Sequence, residues 1–200
     1  MTIIIPMSEN SVLTEIVELK PSNGDISLGL NYRKGAFCPN NVTKYFLDAI
    51  DKRGVNKDEI AFDIGSGTAP IAIYLAKKGV QVYAVEPAKI NCELARENIK
   101  KYGLETKIHF FQGEYFDPLD DLKADLIMAD VSGIARVPAK VLCWYSDQVP
   151  CAGDDGTDII CEMLKRAPRY SKENTQVIFP VATDLSAGEK GKLVVTLVYN

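Results

Sequence analysis

Residues Ile60-Ala-Phe-Asp-Ile-Gly-Ser-Gly-Thr-Ala-Pro70 decide how the rest of this chain is read. Ile60 to Ile64 is apolar apart from Asp63 and reads as a short buried strand. Gly65-Ser66-Gly67 demands a tight turn, because glycine alone takes the required backbone angles without steric cost. Pro70 suits a first helical turn, where its missing N–H is no loss. A helix then runs over 69–78, with Lys77 and Lys78 near its negative end and Gly79 just past it. Strand, glycine turn and helix N-terminus in succession form an element able to cradle a nucleotide.

The turn also says which nucleotide it does not suit. A dinucleotide fingerprint places glycines at the first, third and sixth positions of G-x-G-x-x-G. Here those positions are Gly65, Gly67 and Pro70, and Asp63 also departs from that pattern. An acidic residue followed by this glycine turn resembles the first motif of the class I S-adenosylmethionine-dependent methyltransferases, with Ala69 where a third glycine often sits. The resemblance implies S-adenosylmethionine as cofactor. That ligand has no pyrophosphate, and its amino-acid end is zwitterionic. The Gly65-Ser66-Gly67 backbone could approach it closely, and Asp63 could balance its cationic groups directly or through water.

Outward from the turn, strand and helix signals alternate. Strands are expected over 80–85, 107–111, 124–129, 176–181 and 192–199, and helices over 42–52, 88–102, 137–146 and 157–167. Asn40 or Asn41 supplies the cap of the first of these helices, and Val42, Phe46 and Ile50 fall on one face. Residues 1–35 mix strand and helix signals around a turn at Pro21-Ser-Asn-Gly24; a short hairpin, or a strand with a lid segment, fits them. The alternation implies right-handed crossovers and an α/β fold: one Rossmann-like domain with a mostly parallel sheet and helices on both faces. Residues 1–54 form a lid and helix region and 55–200 the ligand-binding core. The resemblance implies a helix and an antiparallel strand pair after the fifth strand; only 19 residues follow Val181, so the C-terminal part is expected to be shortened, or completed by a second copy pairing along an edge strand as a homodimer.

Composition narrows the class further. Of 200 residues 46% are hydrophobic and 25% charged, which excludes a disordered or fibrous chain. A net charge of −4 gives no global drive toward nucleic acid. The five cysteines are scattered without a C-x-x-C pair and there is a single histidine, so neither a metal site nor a disulfide framework is expected. Reduced buried thiols and a cytoplasmic setting follow. The apolar start, Met1 to Met7, is too short for a membrane span and lacks the basic residues of a signal peptide.

Glu86 ends the strand after the opening helix, followed by Pro87. An acidic residue there can accept from ribose hydroxyls, or it can simply complement the helix that follows. Asp130-Val-Ser-Gly133 follows the strand over 124–129 and should face the reacting end of the ligand. Asp130 is a candidate hydrogen-bond acceptor or general base, or a turn cap, and Ser132 a candidate for orienting the substrate. His109 lies inside a strand and reads as structural. Trp144 and Tyr145 suit a substrate pocket or core packing equally. Asp154, Asp155 and Asp158 read as a solvated loop and helix cap in preference to a cation site.

The resemblance adds roles residue by residue. In Gln112-Gly-Glu-Tyr-Phe-Asp-Pro118 it implies adenine contacts at Gly113, Glu114 and Tyr115. Over roughly 35–181 the chain is similar to release-factor and ribosomal-protein methyltransferases of the small-domain type, and Gly35-Ala-Phe-Cys-Pro39 resembles their ligand-covering entrance segment, which brings in Phe37. Those that modify amide nitrogen carry Asn-Pro-Pro-Tyr where this chain has Asp-Val-Ser-Gly, so the groups that would hold a planar amide are missing. The expected activity is methyl transfer from S-adenosylmethionine to a small molecule or protein side chain, with Asp130 and Ser132 at the acceptor. A cyclase or lyase forming methylthioadenosine without an acceptor is the alternative.

Overall fold

The computed structural model describes residues 14–142, 151–180 and 195–198. Two antiparallel strands open it, β1 (Glu15–Leu19) and β2 (Leu28–Tyr32), so residues 15–32 form a hairpin. Helix α1 (Asn41–Arg53) follows, capped by Asn40, whose side chain accepts from the Val42 N–H. Then come β3 (Ile60–Ile64), α2 (Pro70–Lys77), β4 (Gln81–Glu86), α3 (Lys89–Lys101) and β5 (Ile108–Gln112). The remainder is β6 (Ala124–Met128), α4 (Arg136–Leu142), α5 (Asp158–Arg166), β7 (Ser171–Phe179) and β8 (Val195–Val198).

Strands β3 to β8 make one sheet in the order β5-β4-β3-β6-β7-β8, parallel throughout except for β8, which runs antiparallel to β7. The chain therefore winds outward from β3 through β4 to β5, then returns to lay β6 on the other side of β3. Between β3 and β6 the winding reverses, and open α/β sheets bind ligands in the crevice beyond the strand ends at such a point. The glycine turn leaves the end of β3 and the Asp130 tetrapeptide leaves the end of β6. One topological rule thus brings both candidate stretches to one place.

Alternation along the strands divides the core into two layers. Ala61, Val82, Ala84, Leu126, Met128 and Ile178 pack with α1, α2, α3 and the hairpin. Phe62, Ile64, Val85, Ile127, Val177 and Phe179 pack on the opposite side with Met163 of α5, Phe116 and Tyr170. The hairpin is fastened to α3 by polar contacts: Gly29 N–H donates to the Tyr102 hydroxyl at 2.7 Å, and Arg33 reaches both carboxylate oxygens of Glu97 at 2.7 Å.

One element differs from the sequence expectation. β7 begins at Ser171, not at 176, because the polar run Ser-Lys-Glu-Asn-Thr joins the strand through a register shift opposite Ala124 and Leu126. Asn174 there has φ +65, and the Thr175 hydroxyl bonds the Ala124 carbonyl at 2.7 Å. Helix α4 is described over Arg136–Leu142; Trp144 and Tyr145 lie outside the described residues. His109 sits exposed on edge strand β5 with its ring stacked on Tyr83 at 4.8 Å, in keeping with a structural role.

Candidate functional site at the carboxyl ends of β3, β4 and β6

The glycine turn is built from its two neighbours in the sheet. Gly65 N–H and Ser66 N–H both donate to the Val85 carbonyl of β4, at 2.9 and 3.0 Å. Gly65 and Gly67 hold φ +71 and +56, values that favour glycine, and each is also closely overlaid. A methyl group at Gly65 would lie 2.7 Å from Val131 Cγ1, and one at Gly67 would lie 3.0 Å from Phe37 Cδ1. The entrance segment and the Asp130 tetrapeptide thus meet over the turn. Ala69, where a third glycine often sits, also takes a left-handed φ of +67.

Asp63 is fully buried. One carboxylate oxygen, Oδ2, accepts from the Ser66 hydroxyl at 2.7 Å and from the Ala72 N–H at 3.0 Å, tying the turn to the start of α2. The other, Oδ1, has no partner, and neither has the buried Thr68 hydroxyl. An orphaned buried acceptor costs free energy unless something meets it. Burial pushes the Asp63 carboxyl up to about 7, against the opposing pull of Ser66 and Ala72 and with a further rise from Asp130 and Glu86.

Glu86 is also buried and is engaged on both oxygens. Oε2 accepts from Gly67 N–H at 2.9 Å; Oε1 accepts from Ala88 N–H at 2.9 Å and from Asn91 Nδ2 at 3.0 Å. Within the chain the residue complements the approach to α3, one of its two sequence readings, and it also braces the glycine turn. With about two lone pairs on each oxygen, Oε1 is filled and Oε2 keeps one acceptor position. Burial raises the carboxyl above the ordinary range, opposed by Asn91, Ala88 and Gly67.

Asp130 is half-buried, and Thr43 of α1 donates to its Oδ2 at 2.7 Å. Thr43 is fully buried and also belongs to the capping box that starts the helix. Burial pushes the Asp130 carboxyl up to about 6, with the Thr43 hydroxyl pulling the other way. Ser132 accepts from the Ile134 N–H at 3.3 Å and so shapes its own turn. That turn is walled by the loop before α5: Ala152 N–H donates to Ile134 O and Arg136 N–H to Gly153 O. Within the wall Asp155 caps Thr157 and Asp154 pairs with Arg136 at an exposed position, the solvated arrangement expected of these acids.

The segment after β5 is less uniform. Gly113 N–H donates to the Glu86 carbonyl, which sets this segment beside the end of β4. Glu114 is exposed, and Tyr115, at φ +49, packs with the second core layer while the Arg166 guanidinium lies 5.5 Å over its ring. Pro87 is exposed. Glu114, Tyr115 and Pro87 are not drawn into the hydrogen-bond network that joins Asp63 and Glu86 to the turn.

Three polar residues in or beside this network carried no sequence signal of their own. Asn91, 3% exposed, accepts from Phe37 N–H at 2.9 Å while donating to Glu86. Thr43 holds Asp130. Asn98, fully buried, accepts from Asn31 N–H and donates to the carbonyls of Asn31 and Thr68, joining hairpin, helix and glycine turn. Among the described residues, no lysine or arginine forms an ion pair with Asp63, Glu86 or Asp130. Nor is there a cluster of side chains able to hold a metal ion among them. Carboxylates buried without cations, around a glycine turn that exposes backbone, suit a ligand with cationic groups and hydroxyl donors. S-adenosylmethionine has both, and the orphaned Asp63 Oδ1 and the vacant acceptor position on Glu86 Oε2 fit it.

Comparison with known proteins gives the same direction. Residues 47–135 match the family model described as a methyltransferase domain. The release factor glutamine methyltransferase of Thermosynechococcus vestitus is 30% identical over 118 residues, which cover 54% of this chain and 40% of that protein. The ribosomal protein L11 methyltransferase of Caldanaerobacter subterraneus subsp. tengcongensis is 26% identical over 169 residues, 82% of this chain and 51% of that protein. The chain spans about half the length, or less, of the curated relatives it matches. Among solved structures, a T. thermophilus 16S rRNA methyltransferase in complex with AdoMet and guanosine superposes with a TM-score of 0.67 at 14% identity, over 90% of this chain and 45% of that one. The ribosomal protein L11 methylase of Lactobacillus delbrueckii subsp. bulgaricus gives 0.56 at 22% identity, over 72% and 62%. Its glycine turn and strand order give the chain the Rossmann-like fold of these solved structures, and residues 47–135 carry its match to the methyltransferase domain.

Proposed function

We propose that this protein binds S-adenosylmethionine at the carboxyl ends of β3 and β4 and transfers its methyl group to an acceptor held at Asp130. The observation that carries this is the pairing of a glycine turn with two buried carboxylates, Asp63 and Glu86, each retaining an unfilled acceptor position. Glu86 Oε2 suits a ribose hydroxyl, and Asp63 the cationic amino-acid end. Phe37 covers the turn, Gly65, Ser66 and Gly67 supply its backbone, and Gly113, Glu114, Tyr115 and Pro87 border the adenine side.

When bound, the sulfonium supplies an activated methyl group, so alignment of the acceptor accounts for much of the rate. Asp130 orients the acceptor and takes its proton, Thr43 keeps that carboxylate in place, and Ser132 shapes the wall beside it. A protein side chain is the favoured acceptor class, because the matched relatives are named for release factor and ribosomal protein substrates; a small molecule is the other class to test. The Asp130-Val-Ser-Gly133 sequence disfavours an amide acceptor. Pairing of two copies along β8 is a further proposal, which a dimer mass in solution would support and a monomer mass would remove.

The test is incubation with S-adenosylmethionine, with and without ribosomal and release-factor proteins, followed by mass spectrometry. Adenosylhomocysteine formed only with an acceptor supports the proposal. Methylthioadenosine formed without one would replace it with cyclase or lyase chemistry.

A further inference from the structure

One side chain connects the entrance segment to the donor-binding carboxylate. Asn91, in the first turn of α3, is almost fully buried and uses its two amide ends in opposite directions. Its Oδ1 takes the Phe37 N–H at 2.9 Å, and its Nδ2 gives a hydrogen bond to Glu86 Oε1 at 3.0 Å. At the far end of each arm lies the same glycine. Glu86 Oε2 holds Gly67 N–H, while the Phe37 ring lies against the open face of Gly67. The closed circuit Phe37–Asn91–Glu86–Gly67 makes the covering of the turn and the orientation of the carboxylate one event.

We propose that Asn91 is a positioning residue for the donor: it orients Glu86 toward the donor's ribose and couples that contact to closure of Phe37 over the glycine turn. This rests on the donor reading above and deepens it. The amide fits both arms at once, as an ionised acid does not. The Phe37 N–H needs an acceptor and Glu86 needs a donor, and asparagine supplies one of each from a single planar group. An acid at this position keeps the first arm and loses the second whenever it is ionised, placing two carboxylates edge to edge.

The other ionisable groups facing Glu86 are Asp63 of β3, itself facing Asp130 after β6, and on α3 Cys92, whose thiol is pushed up to about 11 chiefly by burial and by Glu86, with Arg96 opposing. These are shared by wild type and variant, so the ratio of their affinities isolates Asn91. The experiment is calorimetric binding of adenosylhomocysteine to wild type and Asn91→Asp at pH 8 and pH 5.5. Loss of a charge-assisted bond with an added repulsion weakens binding by about tenfold or more at pH 8. At pH 5.5 the introduced acid is protonated against Glu86 and donates as the amide did, so the ratio returns to within about threefold. A merely structural role would leave the ratio independent of pH, and that result overturns the proposal.

A second measurement needs no variant. Hydrogen exchange at the Phe37 amide of the wild-type protein should slow when adenosylhomocysteine is added. Unchanged exchange under saturating ligand overturns the coupling. Wild type that binds no adenosylhomocysteine refutes the donor reading, and this inference with it; wild type that binds normally while both tests fail refutes this inference alone.

Discussion

Replacing Asp63 by asparagine should make the protein more stable at pH 8 while weakening its hold on the donor. Asp63 is fully buried with a carboxyl raised from 3.8 to about 7. Because the folded value lies above the unfolded one, proton binding favours the folded chain. The contribution of Asp63 is undiminished below about pH 4, declines as pH rises, and is at its most unfavourable above about pH 7. A difference of about three units corresponds to a cost of about 4 kcal/mol at pH 8, and about 2 kcal/mol at pH 5, where the difference is only partly expressed. Asparagine removes this cost and keeps a carbonyl oxygen for Ser66 and Ala72. Its amide nitrogen takes the place of the unpartnered Oδ1, which costs about 2 kcal/mol as an unsatisfied buried donor. The balance is a gain of about 2 kcal/mol at pH 8 and about none at pH 5. For a chain of this length that is a rise in Tm of about 4–8 °C at pH 8. Thermal melting of both proteins at the two pH values, without ligand, reads this directly. A variant equally destabilised at pH 5 and pH 8 would refute the reasoning, by showing that the buried carboxylate carries no uncompensated charge.

Other perturbations test separate joints of the site. Thr43→Val removes the hydroxyl that holds Asp130 and should raise the Asp130 carboxyl above about 6, as read by carbon NMR of labelled aspartate; an unchanged titration would dismiss the contact. Gly67→Ala places a methyl group 3.0 Å from Phe37 Cδ1 at a φ of +56, so it should cost about 1–3 kcal/mol in denaturant unfolding. Donor-induced stabilisation should also disappear; a neutral effect on both would mean that the turn is not closely overlaid. Asn98→Ala strands the Asn31 N–H and the Thr68 carbonyl at a buried joint, and should destabilise the chain by about 2–4 kcal/mol with faster amide exchange in β2.

Much of this was legible because the decisive signals are local. The apolar run before Gly65, the paired glycines and Pro70 specify strand, turn and helix within eleven consecutive residues, and the structure has β3 and α2 where they fall. Strand–helix alternation implied a parallel sheet with right-handed crossovers, and the observed strand order places the ends of β3, β4 and β6 together. The polar joints were not legible. Phe37 and Asn91 are 54 residues apart, Asn31 and Asn98 are 67, and Thr43 and Asp130 are 87, and no periodicity links such pairs. An asparagine in a helix reads as a solvent-facing residue until a partner buries it. The start of β7 was hidden for a related reason: Ser171 to Thr175 is a turn-like composition that enters the sheet only because Ala124 offers the Thr175 hydroxyl an acceptor across an irregular register.

Glu86 shows how the two kinds of information combine. Its position at a strand end suggested a ribose contact, whereas its three hydrogen bonds reveal a brace for the glycine turn with a single acceptor position to spare. Both uses follow from one geometry, since the N–H groups that orient the carboxylate leave its remaining lone pair directed by them.

Equilibrium binding of adenosylhomocysteine to wild type and Glu86→Gln, by calorimetry at pH 7.5 with a nicotinamide dinucleotide as control, tests the donor site most directly. Expected are saturable one-to-one binding to wild type, a loss of about tenfold or more in Glu86→Gln, and no binding of the dinucleotide. Failure of wild type to bind adenosylhomocysteine, or equal binding by the variant, would contradict the assignment of the β3–β4 end as the donor site.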